Sequence, residues 1–183
     1  MSTPRFVMWM TWALVLGMIW TVVSRVQPES AQASPGSVAK EGFTAPDFKL
    51  GLLDGGTVTL SELKGKVVLV NFWTSWCPPC RKEMPAIESV YRSYKDLGLV
   101  VIGLNLTAQD SKQAAASFVQ EIGVTFPIAL DLDNSVGNLY RVTALPTSFF
   151  IDRKGVIRSV IVGGPMSEAL VQSKVEELLR EGE

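Results

Sequence analysis

Apolar positions along the chain fall into two regimes. Phe6 to Val23 is an unbroken run of 18 uncharged, mostly apolar residues, flanked by Arg5 and Arg25. As a helix it would extend about 27 Å at roughly 1.5 Å per residue, close to the hydrocarbon thickness of a bilayer. Trp9 and Trp20 lie near its ends, where interfacial aromatics are favoured. The pattern predicts one transmembrane helix, with lipid contact over residues 6–23. Ala31-Gln32-Ala33 has the small-x-small pattern of a signal-peptide cleavage site, so a cleaved signal peptide is the competing reading. The run is longer than a typical signal core and the triplet lies well beyond its end, which favours a retained anchor. Both readings export the remainder of the chain. Residues 27–42 are rich in Pro, Ser, Ala and Gly without apolar periodicity and read as a linker. The organisation expected is an anchor or signal peptide over 1–26, a linker over 27–42 and one domain over 43–183.

In that domain the period of the apolar positions alternates between strand and helix. Phe48 to Leu50 and Thr57 to Leu60 read as short strands around the Asp54-Gly55-Gly56 turn. Val67 to Phe72 is a near-continuous apolar run, as expected of a central strand covered on both faces. A helix follows from about Cys77 to Asp96, with Met84, Ile87, Tyr91 and Tyr94 on one stripe. Leu99 to Leu106 is the next buried strand. Asp110 is the expected cap of a helix ending near Ile122, with Gln113 completing a capping box and Gly123 as the stop. Ile128 to Leu130 reads as a short strand and Ser135 to Tyr140 as a short helix. Ser148 to Ile151 and Val156 to Val162 form a hairpin across Asp152 to Gly155, and a last helix covers Ser167 to Arg180. The alternation predicts an α/β domain with a central mixed sheet and helices on both faces.

Composition removes several chemistries. The chain of 183 residues contains no histidine, which excludes Ser-His-Asp hydrolysis in its usual form and imidazole metal sites. The net charge is −1 with no long basic run, so there is no electrostatic footprint for nucleic acid. Two cysteines, three positions apart, are too few and too close for a disulfide framework. A zinc site needs four ligands, and this chain lacks a second cysteine pair. Asp131-x-Asp133-Asn134 with Gly137 departs from a calcium loop in its glycine position and lacks the terminal Glu; a capped turn is expected.

The chemistry centres on Trp73-Thr74-Ser75-Trp76-Cys77-Pro78-Pro79-Cys80, which joins the central strand to a helix. Cys77 falls at the helix start, where free N–H groups and the macrodipole stabilise a thiolate. Cys80 lies one turn on, within disulfide reach. Cys77 is therefore the expected nucleophile and Cys80 the resolving thiol of a thiol–disulfide exchange. Pro78 fits the first helical position, and Pro79 removes a further N–H that would face the sulfur. With no His or Lys between the cysteines, modest thiolate stabilisation and a reducing to intermediate couple are expected. Leu145-Pro146-Thr147 stands at the entrance of a strand, where proline is tolerated.

In this order, Ala45-Pro46-Asp47-Phe48, Leu60 to Lys66, Val70-Asn71-Phe72-Trp73, Trp76 to Pro85, Leu145-Pro146-Thr147 and Phe150-Ile151-Asp152 with Gly155 resemble the thioredoxin superfamily. Within it they resemble the TlpA/ResA-like branch of anchored, extracytoplasmic oxidoreductases, over roughly residues 43–179. The resemblance implies a thioredoxin-like three-layer sandwich and a redox-active disulfide needing no cofactor. It also implies a cis Pro146 forming a substrate groove with Leu145 and Trp76, flanked by Pro78 and Pro79, a kink at Pro85, and a strand–helix insert within 102–140. Partners implied are disulfides or dithiols of exported proteins, apocytochrome c among them, and a membrane electron donor of the thiol-relay type. One departure stands out. Asn71 occupies the position where thioredoxins have a buried aspartate, and an amide cannot take a proton from Cys80. Another base, Glu83 or water, is needed; Glu83 also reads as a plain surface carboxylate.

Two other classes compete. Pro46-Asp47-Phe48 and Gly65-Lys66 also resemble peroxiredoxins, which would make the chain an antioxidant thiol peroxidase. Those proteins usually have Thr three residues before the peroxidatic cysteine, where this chain has Cys77. A copper-handling protein would use two Cys and a His, and the His is missing.

Overall fold

The computed structural model describes residues 39–181. The anchor or signal peptide expected over 1–26, and most of the linker, lie outside the described residues. Among the described residues no helix is long and apolar enough to cross a membrane.

Seven strands form one mixed sheet: β1 (Lys49–Leu52), β2 (Thr57–Thr59), β3 (Val67–Trp73), β4 (Leu99–Asn105), β5 (Ile128–Leu130), β6 (Thr147–Ile151) and β7 (Ile157–Val162). Their spatial order is β2-β1-β5-β4-β3-β6-β7. β3, β4 and β5 run parallel, while β1, β2, β6 and β7 join antiparallel to their neighbours. The helices are α1 (Pro78–Tyr94), α2 (Lys112–Ile122), α3 (Ser135–Leu139) and α4 (Glu168–Arg180). This is the expected thioredoxin-like α/β sandwich. The elements expected within the domain are all present, with ends displaced by a residue or two; Leu60 belongs to a 3₁₀ turn, Leu60–Leu63, rather than to β2.

β3 explains the layering. All seven of its residues are buried. Val67, Leu69 and Trp73 face a core filled by Met84, Ile87 and Val90 of α1, Phe118 of α2 and Val171, Val175 and Leu178 of α4. Val68, Val70 and Phe72 face the second core, filled by Phe48, Leu60, Val136, Tyr140 and Phe149. A strand enclosed on both sides reads as a continuous apolar run, and its side chains still alternate between faces. Asn71 shares the α1 face with Leu69 and Trp73 and is fully buried. The sheet thereby places an amide directly under α1.

Ser111, not Asp110, caps α2: its hydroxyl accepts the Ala114 N–H at 3.0 Å. The expectation that Asp110 does so fails because its carboxylate is engaged by Ser75 and Asn105. Gly123 ends α2 in the left-handed conformation, φ 76°, as its position predicts. Asp131 makes the expected capped turn, accepting the Gly137 N–H at 2.8 Å. Ser167 caps α4. Pro85 sits inside α1, which continues past it to Tyr94.

Candidate active site

β3 and β4 end side by side at Trp73 and Asn105. The chain leaves β3 through Thr74, Ser75 and Trp76 and enters α1 at Cys77. Asp110 holds this turn. Its carboxylate accepts the Ser75 N–H at 2.6 Å and the Ser75 hydroxyl at 2.7 Å, and Nδ2 of Asn105 at 2.9 Å. Burial opposes its ionisation, but the hydrogen bonds from Asn105 and Ser75 outweigh burial and hold the carboxyl below the usual aspartate range. Trp76 is 60% exposed, yet its indole N–H donates to the Gln109 carbonyl at 2.9 Å. The segment after β4 thus braces the turn at two points.

Cys77 is the N-cap of α1. It is disulfide-bonded to Cys80, with the two Cα atoms 5.3 Å apart. Cys77 keeps 4% exposure and Cys80 none. The pair is more enclosed than an exposed strand-to-helix tip would be, and the enclosure is asymmetric: Cys77 alone retains contact with solvent, between exposed Trp76 and Pro78. The two prolines occupy the first two helical positions and offer no N–H. The Cys80 N–H donates to Cys77 Sγ at 3.3 Å, and the next amide, of Arg81, donates to the Cys77 carbonyl.

Glu83 lies one turn beyond Cys80. The alternative of a surface carboxylate is wrong, since Glu83 is fully buried. Its Oε1 accepts Nδ2 of Asn71 at 2.8 Å and its Oε2 accepts the Met166 N–H at 3.0 Å. Burial raises its proton affinity, and the bonds from Met166 and Asn71 only partly offset this. Nδ2 of Asn71 also donates to the Ser148 hydroxyl at 2.9 Å, while Oδ1 of Asn71 is buried without a partner.

The Leu145–Pro146 bond is cis, as the resemblance implies, and so is Gly164–Pro165, which the sequence did not signal. Pro146 is buried and Leu145 half-buried against the cluster that contains both cysteines. Gly164 closes the site: a Cβ built there would lie 2.6 Å from Oε2 of Glu83 and 2.7 Å from Cγ of Pro146. The structure therefore gathers Cys77, Cys80, Glu83, Leu145 and Pro146 with Asn71, Ser148, Gly164 and Met166. Trp76 is bonded instead to the segment after β4. Asn71, the departure that the sequence marks, is an amide inside an apolar strand and so must have buried partners. Ser148 and Met166 carried no such signal, since only the folded sheet brings them to α1. Among the described residues no group of three or more Cys, Asp or Glu could hold a metal ion.

A disulfide at the helix end of a buried central strand, in a thioredoxin-like sheet, defines the class: a thiol–disulfide oxidoreductase. The chain belongs to the AhpC/TSA family, which residues 42–160 match. It is 38% identical over 143 residues to the thiol-disulfide oxidoreductase ResA of Bacillus subtilis, covering 78% of each chain. A thioredoxin-family thiol:disulfide interchange protein from Chlorobium tepidum has a similar structure, with a TM-score of 0.66, 30% identity and coverage of 74% of this chain and 95% of that one. StoA from Bacillus subtilis superposes with a TM-score of 0.64 at 28% identity, over 76% of this chain and 98% of that one. The chain is an enzyme of this ResA-like and StoA-like type.

Proposed function

We propose that the protein is an extracytoplasmic reductase of disulfides in exported proteins, the haem-binding cysteines of apocytochrome c being one candidate, and that residues 6–23 anchor it to the membrane as a single pass. The disulfide between Cys77 and Cys80 carries the exchange chemistry, and its enclosure supports the order of attack, because of the two residues only Cys77 keeps any exposure. Reduced Cys77 attacks a substrate disulfide as the thiolate. One substrate sulfur leaves and takes up a proton, and a Cys77–substrate mixed disulfide forms. Cys80 loses its proton to the Glu83 carboxylate, its neighbour one turn on, and attacks Cys77 Sγ. The second substrate thiolate departs and is protonated, and two electrons have passed to the substrate. A membrane electron donor of the thiol-relay type then reduces the Cys77–Cys80 disulfide. Trp76, Pro78, Pro79, Leu145 and Pro146 border the substrate, and no cofactor takes part.

The reducing direction is supported by the poverty of donors at Cys77: one N–H reaches its sulfur, and two prolines stand where others would be. Equilibration with glutathione buffers tests it. A potential near that of thioredoxin, about −270 mV, is expected; a strongly oxidising value near about −120 mV would overturn the reading. A peroxidase reading aligned on Cys80 is disfavoured, since that sulfur belongs to a residue with no exposure to peroxide.

A further inference from the structure

The Asn71 carboxamide touches the buried carboxylate and is itself incompletely satisfied. It has two donors and an acceptor oxygen. Both donors are used, one on Oε1 of Glu83 and one on the Ser148 hydroxyl, while Oδ1 has no partner although the residue is fully buried. This orientation suits an ionised Glu83, because an N–H must face Oε1. Once Oε1 carries a proton, two donors would confront each other. Turning the amide by half a revolution removes the conflict: Oδ1 then accepts from both the Glu83 O–H and the Ser148 O–H. Ser148 serves in either arrangement because a hydroxyl both donates and accepts. In the first arrangement the acceptor is orphaned, in the second the amide donors are. Neither protonation state of Glu83 satisfies the amide completely, so neither is locked.

We propose that Asn71 is a positioning residue for proton transfer, its amide turning with the charge on Glu83 and keeping both protonation states accessible. The proposal rests on Glu83 being the proton acceptor for Cys80. The groups around Glu83 on β3, β6, the residue before β6 and the segment before α4 are Asn71, Ser148, Pro146, Gly164 and the Met166 amide, none of which titrates. On α1 the titratable neighbour is Cys80, whose sulfur is in the disulfide and carries no proton in the oxidised protein. A pH titration of the oxidised protein is therefore free of coupling to the Cys80 thiol.

The experiment is an infrared titration of the oxidised protein, following the carboxylic-acid stretch that disappears in Glu83→Gln. Asn71→Leu keeps roughly the side-chain volume and removes both donors. It is expected to raise the Glu83 midpoint by about one pH unit, a tenfold gain in proton affinity, since the carboxylate loses a donor. In the wild-type protein, the Asn71 side-chain amide resonances of an isotope-labelled sample should move with the same midpoint and stay still in Glu83→Gln. This second measurement needs no folded Asn71 variant. An Asn71 amide insensitive to pH across the Glu83 midpoint, or an unchanged midpoint in Asn71→Leu, overturns the proposal alone. If Glu83→Gln leaves the pH profile of Cys80-dependent exchange unaltered, the proton-relay reading itself falls and takes this proposal with it.

Discussion

The Asp110 carboxylate accepts both the backbone N–H and the hydroxyl of Ser75, two residues ahead of Cys77. Truncation in Asp110→Ala strands these donors and Nδ2 of Asn105, which is fully buried. The expected loss is about 1–3 kcal/mol of stability, read as a lower urea midpoint of the oxidised protein. The side chain is half-buried and ionised, so the loss should shrink as pH falls. Its depressed carboxyl contributes stability above the ordinary aspartate range, and that contribution disappears as acid protonates the folded form. An Asp110→Ala protein with an unchanged midpoint at neutral pH would show the clamp to be energetically idle.

The asymmetric burial of the cysteines predicts unequal behaviour of their serine variants. Cys80→Ser should still attack a model disulfide and accumulate a stable adduct on Cys77, visible as a mass increase. Cys77→Ser should form little or none, because Cys80 is fully covered. Both should lose disulfide-reductase turnover to background. Equal adduct formation by the two variants would contradict the assigned order.

Glu83 sets a pH dependence of stability opposite in sign to that of Asp110. Burial raises its folded proton affinity, so between the ordinary glutamate range and its raised folded midpoint the native state holds more proton than the unfolded chain. Stability contributed by this group is complete at low pH and is lost as pH rises through the folded midpoint. Glu83→Gln should flatten that part of the curve. Asp131, also buried and raised, contributes in the same direction and remains, so the slope should diminish without vanishing. Chemical unfolding at successive pH values measures it.

Gly164 has no room for a side chain. Gly164→Ala would thrust a methyl group against Glu83 and Pro146, at a cost of about 1–3 kcal/mol for overpacking. Because Glu83 is the proposed proton acceptor for Cys80 and Pro146 a proposed border of the substrate groove, exchange activity should fall together with thermal stability. An alanine variant with wild-type melting temperature and turnover would mean that the segment before α4 shifts freely.

The strands and helices are legible because burial imprints its period on the chain. β3 appears as an apolar run and the α1 stripe recurs at helical spacing. The cysteine pair is legible as a local motif, and the cis Pro146 only through the family resemblance. Asp110 misleads because a capping residue and a residue that merely precedes one look alike; Ser111 takes the cap, and the competing demand comes from Ser75, 35 positions away in sequence. Glu83 is ambiguous for a related reason. Its spacing from Cys80 puts it on the inward face, but a charged helix residue is usually solvated, and only β3 and the segment before α4 supply the Asn71 and Met166 donors that make burial tolerable.

The covering of Cys80 also bears on chemical wear. Successive oxidation of a thiol to sulfenic and higher acids requires peroxide or another oxidant to arrive at the sulfur. In this enclosure an oxidant meets Cys77 first, and a sulfenic acid formed there has Cys80 beside it to condense with, returning the pair to its disulfide. With the roles proposed above, the concealed thiol would act as a repair group for its partner, and irreversible damage would need a second oxidant to strike Cys77 before its neighbour does.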